Sequence, residues 1–177
     1  MAQFGPRLGI LPTTTTYGRA WTDVITAEWQ RQGGTVGRSY GVDYNTTTDF
    51  SGVVSQVLAE KPDVLFIGGP SQPTALVVRA AREQGFQGGF LMMDQPKFEE
   101  MIEVVSVDEM DGAVGVHPQE TYPAAGIQQF VARFRKRFGP DHVLVSEIAL
   151  NYQALHIAAA DIVQRFGHGG LIPAKAA

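Results

Sequence analysis

Short runs of consecutive apolar residues alternate along this chain with longer segments whose apolar positions recur every three or four residues. The stretch from Asp43 to Gly69 shows both patterns in one unit. Phe50, Val53, Val54, Val57 and Leu58 fall at i, i+3, i+4, i+7 and i+8, which predicts an amphipathic helix. Thr48 or Asp49 stands ready as its N-cap, and Lys61-Pro62-Asp63 stops it. Val64-Leu65-Phe66-Ile67, closed by Gly68-Gly69, then reads as a strand covered on both faces.

The same alternation predicts five strands: Arg7 to Leu11, Thr35 to Tyr40, Val64 to Ile67, Phe90 to Met93, and Gly112 to Val116. Helices are predicted between them, from Gly18 to Gln32, Asp49 to Glu60, Gln72 to Gln84, and Lys97 to Val105. Gly33-Gly34 and Gly85 are placed to end two of these as C-cap glycines. Strands separated by helices imply a parallel sheet with helices on both faces. Right-handed, short connections favour the order 2-1-3-4-5, so the fold class is α/β, with a flavodoxin-like five-stranded parallel sheet.

Beyond His117 the pattern changes. Pro118, Pro123 and Gly126 mark an irregular passage, and two helical stripes follow with no further strand. Ile127, Phe130, Val131, Phe134 and Phe138 form the first stripe; Ile148, Tyr152, Leu155, Ala159, Ile162 and Phe166 form the second. The expected division is a lobe over residues 1–117, a helical segment over 118–166, and a tail over 167–177. The second segment's stripes need an apolar surface to cover, either on the lobe itself or on a second copy of the chain.

Composition narrows the function classes. At 177 residues, 44% hydrophobic and 18% charged, the chain can bury a sizeable core. Its net charge of -4 and pI near 5.5 argue against a nucleic-acid or anionic-membrane partner. The one basic cluster, Arg133 to Gly139, fits the last turn of a helix, where cations are favoured. Without cysteine there is no disulfide, thiolate nucleophile or thiolate-ligated metal. Residues 1–20 contain no apolar run of the length a secretion signal needs, and no run is long enough to span a bilayer.

In an open parallel sheet, ligands sit outside the carboxyl ends of the strands, where strand order reverses. That rule selects the loops Pro12 to Tyr17, Gly41 to Thr47, Gly69 to Pro73, Asp94 to Pro96, and His117 to Tyr122. Tyr17 offers a ring and a hydroxyl; Thr14, Thr15, Thr16, Ser71 and Gln72 offer neutral hydrogen bonds; Asp94 offers a charge for an amine. These groups suit holding a small molecule rather than transforming one. Tyr17 could equally just begin a helix, Asp94 could be an N-cap, and the threonines could form a polar turn or an anion site. Ser71 and Ser106 lack a nucleophile-elbow context, the four histidines lack ligand spacing, and no phosphate loop or dinucleotide fingerprint is present. No cofactor and no metal are expected.

TTYGRA at 15–20, the whole of 43–69, RAAREQGF at 79–86 and NYQALHIAAA at 151–160 together resemble the type I periplasmic solute-binding proteins. The likeness is to the binding components of ABC importers for branched-chain amino acids and amides. It implies a clamshell of two lobes, of which this chain carries the second and the helices that normally cover the first. It also implies a non-enzymatic, periplasmic or extracellular protein with importer membrane subunits as partners. Carried over by residue, Tyr17 matches the aromatic that stacks on the ligand and Asp94 the acid that pairs with its amino group. Pro70 and Ser71 stand where some members carry an aromatic. Two alternatives share the fold: a cytoplasmic ligand-sensing regulatory domain, and a flavodoxin-like phosphate- or flavin-binding domain using the threonine loop.

Overall fold

The computed structural model describes residues 3–115, 125–142, 144 and 146–166. The loop expected from His117 to Tyr122 and the tail 167–177 lie outside that range. The chain divides into two compact units, Met1–Val116 and His117–Ala177.

In the first unit the strands are β1 (Arg7–Pro12), β2 (Thr35–Ser39), β3 (Val64–Gly68), β4 (Gly89–Met92) and β5 (Ala113–Val114). Between them lie α1 (Thr16–Arg31), α2 (Ser51–Leu58), α3 (Ser71–Glu83) and α4 (Phe98–Met101). All neighbouring strands run parallel, in the order β2-β1-β3-β4-β5. The order inferred from connection rules is the one observed. α4 is shorter than its apolar pattern suggested, and of the expected β5 only Ala113 and Val114 pair among the described residues, Val116 lying outside them.

The period of two along β3 splits its side chains between two cores. Leu65 and Ile67 join Leu11, Phe90 and the faces of α2 and α3, including Val54, Val57 and Val78. Val64 and Phe66 join Leu8, Ile10 and Met93, covered by Trp21, Ile25 and Trp29 of α1. Helices therefore cover both faces, which is why β3 reads as an unbroken apolar run.

Two helix ends follow the chemistry expected of them, and one expected N-cap does not. Gly33 (φ +86°) and Gly85 (φ +83°) close α1 and α3. In each, two successive N–H groups return to the last turn: Gly33 to Gln30 and Gly34 to Trp29, Gly85 to Arg82 and Phe86 to Ala81. The exception is α2, whose N-cap is Phe50, without a side-chain cap. Asp49 still serves the helix start, its Oδ1 accepting from the Ser51 N–H at 2.9 Å, which holds that carboxylate below its usual range. At the β4–β5 edge, Arg82 donates to the carbonyls of Phe86, Gly88, Glu109 and Asp111 and lies 4.7 Å over the Phe90 ring.

The second unit contains α5 (Ala125–Phe138) and α6 (Ser146–Phe166). Phe130 meets Tyr152 with ring centroids 4.8 Å apart, and Arg133 Nη1 donates to the Tyr152 hydroxyl at 3.1 Å. The apolar stripes on α5 and α6 thus meet each other in part. Leu155 and Ile157 on α6 remain exposed.

Candidate functional site

Strand order reverses beside β1: the chain passes from β1 outward to β2, then back across to β3 on the other side. The carboxyl ends of β1 and β3 therefore flank a crevice, and their loops lead directly into α1 and α3.

The β1 loop is tied down residue by residue. Thr13 is buried and forms an isolated parallel bridge with Val42. The Thr14 N–H donates to the Val42 carbonyl at 3.0 Å. Thr15 caps α1, its hydroxyl accepting from the Gly18 N–H at 3.2 Å. Arg19 donates to the Thr14 carbonyl at 2.9 Å and to the Thr16 hydroxyl at 3.0 Å. Gly18 allows this tight entry, because a Cβ there would lie 2.0 Å from the Thr13 carbonyl oxygen. The hydroxyls of Thr15 and Thr16 are thus engaged in building the loop, the role of a polar turn and cap.

Tyr17, the second residue of α1, does more than begin a helix. The residue is 41% exposed. Trp21, one turn on, meets it edge-on at 6.4 Å and in turn contacts Phe66 of the core at 6.3 Å. The Tyr17 hydroxyl donates to Asp94 Oδ1. Partial burial, reinforced by the bond to Asp94, pushes the Tyr17 phenol up.

Asp94 follows Met93, whose N–H extends the β4 ladder by donating to the Ile67 carbonyl at 3.1 Å. Asp94 is not a helix cap, since the N-cap of α4 is Lys97. The Lys97 ammonium donates to the Asp94 carbonyl at 2.8 Å, and the Lys97 N–H donates to Ser71 Oγ at 3.0 Å. Ser71, buried at the first position of α3, therefore anchors the loop that carries Asp94. Gln72 is exposed beside it.

Tyr17 and Asp94 are brought into contact, Ser71 is joined to them through Lys97, and Thr14 to Thr16 frame the loop. The arrangement presents a half-exposed ring, a carboxylate and neutral donors, a set suited to an amine-bearing small molecule. Among the described residues no cluster of His, Asp or Glu could hold a metal ion.

Sequence reasoning missed three supporting residues. Trp21 had a signal, its i+4 spacing from Tyr17 on a helix face. Lys97 had only its proximity to Asp94. Tyr44 had none: it is 1% exposed, and its hydroxyl donates to the Leu11 carbonyl at 2.7 Å beneath the crevice. A separate hollow of about 440 Å³ is lined by Phe4, Leu58, Lys61, Pro62, Asp63 and Phe86 among others. These residues precede β1 and β3, end α2 or follow α3, so the hollow lies at the amino ends of the strands, away from this chemistry.

Comparison with known proteins returns a family model described as periplasmic binding protein, matching residues 1–169. The curated proteins give no significant match. Among solved structures, a leucine binding protein from Thermotoga maritima superposes with a TM-score of 0.74 at 25% identity, over 92% of this chain and 45% of that one. A fatty acid ABC transporter substrate-binding protein from Thermomonospora curvata gives 0.66 at 17% identity, over 78% and 36%. An ABC transporter substrate binding protein from Aeropyrum pernix gives 0.67 at 19%, over 79% and 38%. The chain spans less than half the length of each of these three structures.

Proposed function

This chain belongs to the periplasmic binding protein family, and from that premise we propose that its Met1–Val116 unit is one solute-binding lobe of an ABC importer's binding component. The observation that carries this is the Tyr17–Asp94 pair at the switch point, with Ser71 and Lys97 holding the loop behind it. A solute bearing an amino group would lie against the Tyr17 ring and give its ammonium to Asp94 in place of the phenol. The solute class is then a small amino acid or amide-like molecule, in keeping with the leucine binding protein among the relatives. Thr14, Thr15, Thr16 and Gln72 would line the approach. The protein acts by capture, without turnover, in the periplasm or outside the cell, and importer membrane subunits are its partners. Among the described residues no helix is long and apolar enough to cross a membrane.

One lobe supplies one wall of the site, so the isolated chain should bind weakly, because burial between two lobes is what gives such sites their affinity. Titration of L-leucine, isopentylamine and isocaproate into the chain and into Asp94→Asn tests the assignment. Loss of one charge-assisted hydrogen bond should weaken the two amines at least about tenfold and leave isocaproate unchanged. Equal affinities for the amines in both proteins would refute it.

The exposed Leu155 and Ile157 of α6 would pack against a second copy of the chain. Native mass spectrometry checks this: a species at twice 19.2 kDa supports the pairing, and a sole species at 19.2 kDa argues against it.

A further inference from the structure

The crevice lies between two strand ends where one backbone group of each is met by one buried side chain. Tyr40 N–H donates to the Ile10 carbonyl and Val42 N–H to the Pro12 carbonyl, each at 2.9 Å, so these two carbonyls of β1 face β2. Backbone groups alternate along a strand, so the intervening Leu11 carbonyl faces β3. On β3, the Ile67 carbonyl accepts from Met93 on the β4 side, and the Gly68 N–H that follows faces β1. With Leu11 opposite Ile67 and no N–H on Pro12, the ladder pairs the Gly68 N–H with the Leu11 carbonyl near the end of the two strands.

The Tyr44 hydroxyl sits at that pair. It donates to the Leu11 carbonyl at 2.7 Å and accepts from the Gly68 N–H at 3.4 Å. The ring is held from behind by Phe50, 5.6 Å away between centroids, and pressed from the front by Gly69. A Cβ at Gly69 would lie 2.4 Å from the ring, so the β3 loop leaves along the ring face without a side chain. Tyr44 itself arrives from the β2–α2 loop, whose Val42 is tied to Thr13 and Thr14.

We infer that Tyr44 is a positioning residue of the crevice: through its hydroxyl it fixes the ends of β1 and β3 from which the Tyr17 and Ser71 loops depart. It touches no solute and acts by setting where Tyr17 stands relative to Asp94. The inference takes the crevice to be the site, as proposed above, but its readouts need no solute. A chain that binds nothing while these readouts hold would refute the functional reading alone.

The test uses Tyr44→Phe, which removes only the hydroxyl, with NMR on the whole chain. Hydrogen exchange at the Gly68 amide should accelerate relative to the amides of β4, because that N–H, paired with the Leu11 carbonyl in the ladder, loses the hydroxyl as its second acceptor. The Tyr17 phenol should titrate closer to its ordinary value than in the wild type, since the contact with Asp94 depends on loop placement. A merely structural tyrosine would destabilise the unit without moving the Tyr17 titration. A folded Tyr44→Phe with an unchanged Tyr17 titration overturns the inference. If the variant does not fold, the wild type decides: a slowly exchanging Tyr44 hydroxyl proton with a cross-peak to the Gly68 amide supports it, and absence of that signal overturns it.

Discussion

Gly69→Ala puts a single methyl group against the floor of the crevice. The new Cβ would stand 2.4 Å from Tyr44 Cγ, 2.6 Å from its Cβ and 2.8 Å from Cδ1. Carbon atoms sit comfortably at about 3.5–4.0 Å, so something must move by roughly 1 Å. The ring has little freedom to move, being 1% exposed, packed on Phe50 and bonded at both Leu11 and Gly68. Overpacking of this kind costs about 1–3 kcal/mol. For a domain of this size that corresponds to a fall in melting temperature of roughly 4–12 °C. Gly52→Ala is the control, because a Cβ there meets nothing within 4 Å. On the exposed start of α2, losing backbone freedom in the unfolded chain should make that variant more stable by about 0.5 kcal/mol. Urea and thermal unfolding followed by circular dichroism measure both variants. If Gly69→Ala stays within about 0.5 kcal/mol of the wild type, the Tyr44 floor is not the rigid element argued here.

Three further outcomes are expected. Phe66→Ala empties a side chain that is 0% exposed between β3 and α1 and should cost about 3–5 kcal/mol in urea unfolding; a cost below about 1 kcal/mol would contradict the core described. Asp63 is held below its ordinary range first by the side-chain hydrogen bond from Arg7, so its contribution is full above about pH 4 and is lost as pH falls through its folded value. Asp63→Asn should therefore melt below the wild type at neutral pH and match it in strong acid, and a difference that persists in acid would refute the pairing. Asp94→Asn removes the carboxylate that reinforces the shift at Tyr17, so that phenol should titrate at lower pH than in the wild type while remaining above an exposed tyrosine, because burial persists. An unmoved Tyr17 titration would mean the two side chains do not meet in solution.

Much of the fold was legible because its signals are local or combinatorial. The unbroken apolar run of β3 and the three-four spacing of α2 report burial directly. The sheet order then follows from handedness and short connections rather than from any single residue. Boundaries drifted where local signals competed, as at α2, where Asp49 caps from one residue before the structural N-cap Phe50. β5 was drawn to include Gly112 and Gly115, whereas among the described residues only Ala113 and Val114 pair with β4.

At the candidate site, the loop rule selected Tyr17, Asp94 and Ser71, which the structure brings together, but not the reasons they stand where they do. Asp94 looked like a possible cap, and only the start of α4 at Lys97 removes that role. Ser71 looked like a neutral contact, whereas its hydroxyl accepts the Lys97 N–H that positions the Asp94 loop. Tyr44 was invisible because its hydroxyl bonds Leu11, 33 residues away. No periodicity encodes which strand end a loop tyrosine will reach.

The central claim, that the crevice at the carboxyl ends of β1 and β3 receives an amine-bearing solute, is tested most directly by recording amide NMR spectra while L-leucine is added to the chain. Saturable shifts are expected at Tyr17, Gly68 to Ser71 and Asp94, with weak, roughly millimolar affinity, about -4 kcal/mol, as one wall of a two-lobed site should give. Shifts confined to the hollow around Phe4, Pro62 and Phe86, or none at leucine concentrations far above that affinity, would contradict it.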